Sequence, residues 1–106
     1  MGAHDFYTVG TGATAKDAFR TAVEDDLYEY GHDPYTGDIG QKESFVIVPT
    51  PDGATDEHCY DHASRLVRLN RMPRGTDDKW GPCAALRMPD GPDGNQRWLF
   101  FGWCAS

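Results

Sequence analysis

Two glycine-containing segments of this sequence have residue types that could bind a phosphate group. The first, residues 10–15, reads Gly-Thr-Gly-Ala-Thr-Ala and matches the letters of the dinucleotide-binding pattern G-x-G-x-x-G/A. In that pattern the glycines let backbone amides approach a pyrophosphate at the start of a helix. An acidic residue must also follow about 20 residues later, at the end of the second strand. Here the second predicted strand ends near Val48, so we interpret residues 10–15 as a glycine turn that leads into a helix.

The second segment, residues 35–42, reads Tyr-Thr-Gly-Asp-Ile-Gly-Gln-Lys. A Walker loop needs G-x-x-x-x-G-K-[ST] between a strand and a helix, whereas this segment has another spacing and leads from a helix to a strand. We therefore expect a structured loop that Ile39 pins to the core. Because binding residues concentrate on loops, its polar residues remain the candidate ligand- or partner-binding site. These residues are His32, Tyr35, Thr36, Gly37, Asp38, Gly40 and Lys42.

Histidines and cysteines are the remaining residues with reactive side chains. His58 and His62 are four apart on a predicted helix, the spacing of a pair of metal ligands. No further ligand is fixed by spacing, so the sequence predicts no metal site. Cys59, Cys83 and Cys104 form no Cys-x-x-Cys pair and lack the local signatures of catalytic cysteines. We expect three buried, reduced thiols, no catalytic residue and no cofactor.

The charge of the chain limits its possible partners. The 106 residues include 17 acidic and 10 basic side chains, which gives a formal net charge of −7. This balance disfavours direct binding of nucleic acids, whose affinity depends on neutralising backbone phosphates. It permits a basic partner or mimicry of a nucleic acid, although a solvated surface is the simplest explanation.

The expected location follows from two absences in the sequence. No apolar run approaches the roughly 18 residues that cross a bilayer. The N-terminus has neither the basic nor the apolar region of a signal peptide. We therefore expect a cytoplasmic protein without membrane contact, or one of the host cytoplasm if it is viral, folded as a single domain over residues 1–106.

Apolar periodicity predicts two helices. In the first, Thr14 is a natural N-cap and Gly31 a C-terminal stop. Its apolar residues fall at steps of three and four: Ala15, Ala18, Phe19, Ala22, Val23, Leu27 and Tyr30. The second helix is expected at about 55–70, with Thr55 as N-cap.

Four strands complete the predicted fold. The first covers residues 4–9, and residues 45–48, Phe-Val-Ile-Val, lack polar alternation, which suits a central strand or one buried on both faces. Residues 80–88 and 96–104 flank a turn-rich segment and predict a C-terminal hairpin. The order β-α-β-α-β-β indicates an α+β domain, with both helices on one face of a four-stranded mixed sheet.

The last strand is apolar on both faces, with Trp98 and Phe100 on one side and Phe101 and Trp103 on the other. Either the sheet is covered on both sides, or one face meets another molecule. If both helices lie on one face, these four aromatic residues form a candidate interface. A homodimer through the sheet is its simplest form.

One resemblance concerns the first half of the chain. A helix with Ala18-Phe19 and Ala22 ends at Tyr30-Gly31, and the loop 35–42 follows before an apolar strand. This arrangement resembles small proteins of actinobacteria and their bacteriophages, which carry a helix and then a Tyr-Ser/Thr-Gly-x-Ile-x-x-Lys loop. The resemblance implies a phage or phage-like accessory protein and brings no catalytic residues with it.

Three functional hypotheses follow. The first is a small non-enzymatic protein that binds another protein, as a bacteriophage product acting on a host component. The second is a small ligand- or nucleotide-binding protein, or an enzyme, that uses the loop 35–42 together with His32. The third is an acidic mimic of a nucleic acid, which requires acids along one surface at the spacing of phosphates.

Overall fold

The structure is a computed structural model that describes residues 3–30, 39, 42–73, 75–76 and 81–105. The element order is β1 (Ala3–Gly12), α1 (Ala15–Tyr30), β2 (Phe45–Val48), α2 (Asp56–Arg68), β3 (Cys83–Met88) and β4 (Gln96–Ala105). The predicted α+β class, the order β-α-β-α-β-β and the C-terminal hairpin are confirmed. Neither helix in the described part of the chain has the length and apolar character of a membrane span.

The sheet has the strand order β1-β4-β3-β2. Strand β4 is antiparallel to both β1 and β3, whereas β2 is parallel to β3 with Val46 opposite Ala84. The strands β1, β2 and β3 therefore run in the same direction. Residues 45–48 were predicted to form a central strand or one buried on both faces. Neither alternative holds, because β2 lies at an edge of the sheet and Val46 and Ile47 are exposed.

The two helices lie on opposite faces of the sheet. Helix α1 packs on the face that contains Ala85 and Phe100, while α2 packs on the face of Leu86 and Phe101. The prediction that both helices share one face is therefore wrong. The chain crosses from β1 to the far edge at β2 and then returns to β3. Crossovers between parallel strands are almost always right-handed. The crossover from β1 to β2 and the crossover from β2 to β3 move across the sheet in opposite directions, so their helices lie on opposite faces.

Each helix covers its own hydrophobic core. The α1-side core consists of Phe6, Ala18, Phe19, Ala22, Ile39, Cys83, Ala85, Trp98, Phe100 and Cys104. The α2-side core consists of Cys59, Ala63, Val67, Ala84, Leu86, Met88, Leu99 and Phe101. Alternate residues of β3 and β4 enter opposite cores, as the two-residue period of a strand requires.

Both predicted N-caps are present. The Asp17 N–H donates to Thr14 Oγ1 over 3.2 Å at the start of α1. The His58 N–H donates to Thr55 Oγ1 over 3.3 Å, and His58 Nδ1 accepts from the Thr55 N–H over 3.5 Å. These bonds form a capping box in which histidine takes the place usually held by Glu or Gln.

Candidate functional site

The loop that the sequence singled out is described at Ile39 and Lys42 only. His32, Tyr35, Thr36, Gly37, Asp38 and Gly40 lie outside the described residues. Ile39 is fully buried in the α1-side core, so its predicted anchoring role is confirmed. Lys42 is 4% exposed, and its Nζ donates to the Gly81 carbonyl oxygen over 2.9 Å. This ammonium group thus joins the segment before β2 to the segment before β3.

The predicted aromatic interface is largely interior. Phe100 and Phe101 are fully buried in opposite cores, and Trp98 is 6% exposed. Trp103 is half-buried against the α2-side core. The two-sided apolar character of β4 arises because a helix covers each face of the sheet. The surface proposed from Trp98, Phe100, Phe101 and Trp103 is therefore not a surface of this fold.

The glycines of residues 10–15 serve the packing of α1 against β1. Both Gly10 and Gly12 belong to β1, which ends at Gly12 and so includes the first three residues of the predicted glycine turn. A Cβ atom on Gly10 would lie 2.4 Å from the Ala18 carbonyl oxygen, and one on Gly12 would lie 2.7 Å from the Ala18 nitrogen. These contacts are shorter than any real Cβ tolerates. The spacing of the glycines therefore reflects the close approach of helix and strand.

The thiols and imidazoles do not form a reactive cluster. Cys59, Cys83 and Cys104 are reduced and buried, as predicted. Burial raises the pKa of the Cys83 thiol to about 12, so almost none of it is the nucleophilic thiolate at neutral pH. Among the described residues, no group of three or more His, Cys, Asp and Glu side chains is placed to hold a metal ion.

The acidic side chains of the described surface are spread over several elements. Four of them form ion pairs with arginines: Asp17 with Arg20, Asp61 with Arg65, Asp90 with Arg87 and Asp56 with Arg97. The Asp56–Arg97 pair, at 2.9 Å, links the first residue of α2 to β4. The neighbouring arginines offset part of the negative charge at each of these places. This distribution gives no support to the hypothesis of a nucleic-acid mimic, which requires a row of acidic side chains at the spacing of phosphates.

The strongest candidate for a binding surface is the outer edge of β2, which we call the β2 edge and define as Phe45, Val46, Ile47 and Val48. Val46 and Ile47 are 37% and 56% exposed, although both are large and apolar. They lie on opposite faces of a strand that has no described neighbour on its outer side. Exposed apolar side chains beside an open strand edge are the usual template for pairing with another chain.

The backbone direction at the β2 edge follows from one hydrogen bond. The Cys83 N–H donates to the Ser44 carbonyl oxygen over 3.2 Å, so the carbonyl of Ser44 faces β3. In a parallel ladder, alternate residues direct their N–H and C=O groups toward the same neighbour. Val46 and Val48 therefore face β3, and the N–H and C=O groups of Phe45 and Ile47 point away from the sheet.

The opposite edge of the sheet, at β1, differs in character. Between residues 5 and 12 it has no large exposed apolar side chain, and Asp5 stands exposed on the strand. A charged side chain on an edge strand discourages pairing with other chains. Of the two edges, the β2 edge is thus the one suited to a partner.

An open groove of about 620 Å³ lies between α1 and the start of β2. Its apolar floor includes Phe19, Val23 and Phe45, and the rings of Phe19 and Phe45 are 5.1 Å apart between centroids. Its rim carries charges of both signs, on Lys16, Arg20, Glu24 and Glu43. The groove and the β2 edge share Phe45, so they form one continuous surface.

Sequence reasoning missed the exposure of Val46 and Ile47. One signal was present, because Pro49 follows the strand directly and proline is restricted to sheet edges, bulges and strand ends. Comparison of the chain with protein-family models, with curated proteins and with solved structures found no match.

Proposed function

We propose that this chain is a small non-enzymatic protein that acts by binding another polypeptide through the β2 edge. The observation that carries the proposal is the 56% exposure of Ile47 beside backbone groups that point away from the sheet. Strand addition to an open sheet edge is a common mode of protein recognition. Its affinity comes from main-chain hydrogen bonds and its specificity from alternate side chains.

Within the described part of the chain, the β2 edge has only some of the features that protect natural sheet edges. Such edges are guarded by short strands, proline, charged side chains, bulges or a covering element, and β2 has the short length and the following Pro49. The four residues of β2 carry no charge, and Glu43 is the nearest charged residue before the strand. The shortness of the strand and Pro49 limit the length of any added strand, so they favour one short partner segment over open-ended aggregation.

The groove extends this surface on the α1 side. A strand paired with β2 would direct every second side chain toward the groove, where Phe19, Val23 and Phe45 offer apolar contacts. Apolar burial contributes about 25 cal/mol per Å² removed from water. Mixed charges on the rim would then favour a partner whose own charges alternate in sign.

The biological setting is part of the same proposal. The resemblance of residues 18–42 to proteins of actinobacteria and their phages supports a role as an accessory protein that binds and acts on a host protein. The alternative of a ligand-binding loop receives less support, because the Lys42 ammonium is engaged within the protein at Gly81.

Site-specific photo-crosslinking tests the proposal. A photoreactive amino acid is placed at Ile47, or at the control position Tyr60, which is 42% exposed on the side of α2 near Arg97 of β4. We expect a discrete cross-linked product in cells or purified protein from position 47 and none from position 60. Equal products from both positions, or none from position 47, would contradict the proposal.

A further inference from the structure

We infer that the partner at the β2 edge is a second copy of this chain, which adds its own β2 in antiparallel orientation. The inference rests on the proposed function of the edge and assigns its occupant. In the resulting two-fold dimer the two sheets join into one continuous sheet, and both copies use the same surface. Backbone geometry, side-chain exposure and charge each support this arrangement.

The backbone groups and the bounds of β2 together select one register, since an axis at Phe45 would pair Ile47 with Glu43, outside the strand. If the two-fold axis passes at Val46, Phe45 of each copy lies opposite Ile47 of the other. In an antiparallel pair such opposite residues exchange both hydrogen bonds. Every outward N–H and C=O of Phe45 and Ile47 then has a partner. An axis at Ile47 would instead place Pro49, which has no N–H, opposite Phe45 and leave a carbonyl oxygen without a donor.

The same register covers the exposed apolar side chains. Val46 shares the face of Val48, which packs against the α2-side core, and Phe45 packs against the α1-side core. The Val46 side chains of the two copies would therefore meet on the α2 side of the joint sheet. On the α1 side, Ile47 of each copy would contact Phe45 of the other. Directly opposite pairs of this kind stabilise a sheet by roughly 0.2–1 kcal/mol each.

The distribution of charge around the groove fits an antiparallel second copy. Lys16 and Arg20 lie near the start of α1, at the end of the sheet where β1 and β2 terminate. Glu43 precedes β2, and Glu24 lies about two helical turns beyond Lys16, so both are nearer the other end. With Asp17, which pairs with Arg20, and Lys42, which also lines the groove, the first end carries one net positive charge and the second one net negative charge. The two-fold axis places unlike ends of the two copies at the same end of the joint sheet, which offsets a small part of the repulsion between two chains of charge −7.

The interface is small, because β2 has only four residues. Interfaces that bury less than about 1,200 Å² are mostly transient. We therefore expect a dimer with a Kd on the order of 1–100 µM rather than an obligate assembly.

Sedimentation equilibrium on purified chain provides the first test. The unmodified chain should show a concentration-dependent mass that rises toward twice 11.8 kDa. Ile47→Lys should weaken the association at least about tenfold, since it places a charge against Phe45 of the other copy on each side of the two-fold axis. Tyr60→Lys should leave it unchanged, because Tyr60 is 42% exposed on the side of α2 that lies near Arg97 of β4. A monomer at all concentrations, or equal effects of the two substitutions, would overturn the inference.

Disulfide trapping tests the register. In Val46→Cys the two introduced thiols would lie across the two-fold axis, where the Cα atoms of a non-hydrogen-bonded pair are about 4.5 Å apart and can be bridged. The three native cysteines are buried, so mild oxidation reports on the introduced thiol. Val46→Cys should cross-link efficiently and Tyr60→Cys, at an exposed position near Arg97 of β4, should not. Similar yields for both variants, or no cross-link in either, would refute the proposed pairing.

These results separate the inference from the proposed function on which it rests. A monomeric chain whose position 47 still cross-links to a different protein would overturn the second-copy inference and retain the β2 edge as the binding surface. A monomeric chain with no cross-link at position 47 would refute both.

Discussion

The α-carbon of Gly10 lies so close to the backbone of Ala18 that a Cβ atom on Gly10 would come within 2.4 Å of the Ala18 carbonyl oxygen. Since Ala18 is itself fully buried, neither backbone has room to retreat. This contact fixes the distance between α1 and β1 and so helps to position one wall of the groove beside β2.

Replacement of Gly10 by alanine should destabilise the protein by about 2–3 kcal/mol, because the new methyl group overlaps backbone rather than a flexible side chain. Urea unfolding monitored by circular dichroism measures the effect. Thr11→Ala, at the exposed neighbouring position, is the control and should cost less than about 1 kcal/mol. Similar losses in the two variants would show that the close approach is relaxed in solution.

Lys42 should contribute to stability through its buried ammonium group. Lys42→Met keeps most of the side-chain volume but removes the donor to the Gly81 carbonyl oxygen, so we expect a loss of about 2 kcal/mol. The matched control is Lys16→Met, which removes an exposed lysine and should change the unfolding free energy by less than about 0.5 kcal/mol. Equal stability of Lys42→Met and the unmodified chain would show that Lys42 is not held in this position.

Cys83 should make stability depend on alkaline pH. Burial raises its pKa from 9.0 to about 12, so between these values the unfolded thiol ionises while the folded thiol stays protonated. The unfolded state then binds fewer protons than the folded state, and the free energy of unfolding must fall as the pH rises above 9. Near pH 10.5 this single group should cost about 2 kcal/mol relative to neutral pH.

Other groups also titrate in this range, so the contribution of Cys83 has to be measured as a difference. Urea unfolding of Cys83→Ala and of the unmodified chain, each at about pH 7.5 and about pH 10.5, isolates it. The alanine variant should lose about 2 kcal/mol less than the unmodified chain on going to the higher pH. Identical pH-dependent losses would mean that the Cys83 thiol ionises as readily in the folded state as in the unfolded one.

The local elements of this fold could be predicted from the sequence because their signals are local. The apolar period and the caps at Thr14 and Thr55 define both helices, and the turn residues between β3 and β4 define the hairpin. Ile39 was predicted as an anchor because it is a large apolar residue in a polar loop, and it is buried.

Strand order and the binding surface could not be predicted in the same way. The run Phe45-Val46-Ile47-Val48 has the same letters whether it lies in the centre of a sheet or at its edge. Only the long-range pairing with β3 makes it an edge strand. The element order predicts both helices on one face, which leaves the aromatic residues of β4 as a candidate interface on the other. The two crossovers run in opposite directions only because of the strand order, which no local signal specifies.

Hydrogen exchange at the individual amides of β2 tests the central claim most directly, because alternate residues face β3 and the proposed partner. At about 5 µM chain, the amides of Phe45 and Ile47 should exchange rapidly, whereas those of Val46 and Val48 should be protected by β3. At about 1 mM, association should slow exchange at Phe45 and Ile47 at least about fourfold and leave Val46 and Val48 unchanged. Exchange at Phe45 and Ile47 that does not depend on concentration would contradict pairing of two copies at the β2 edge.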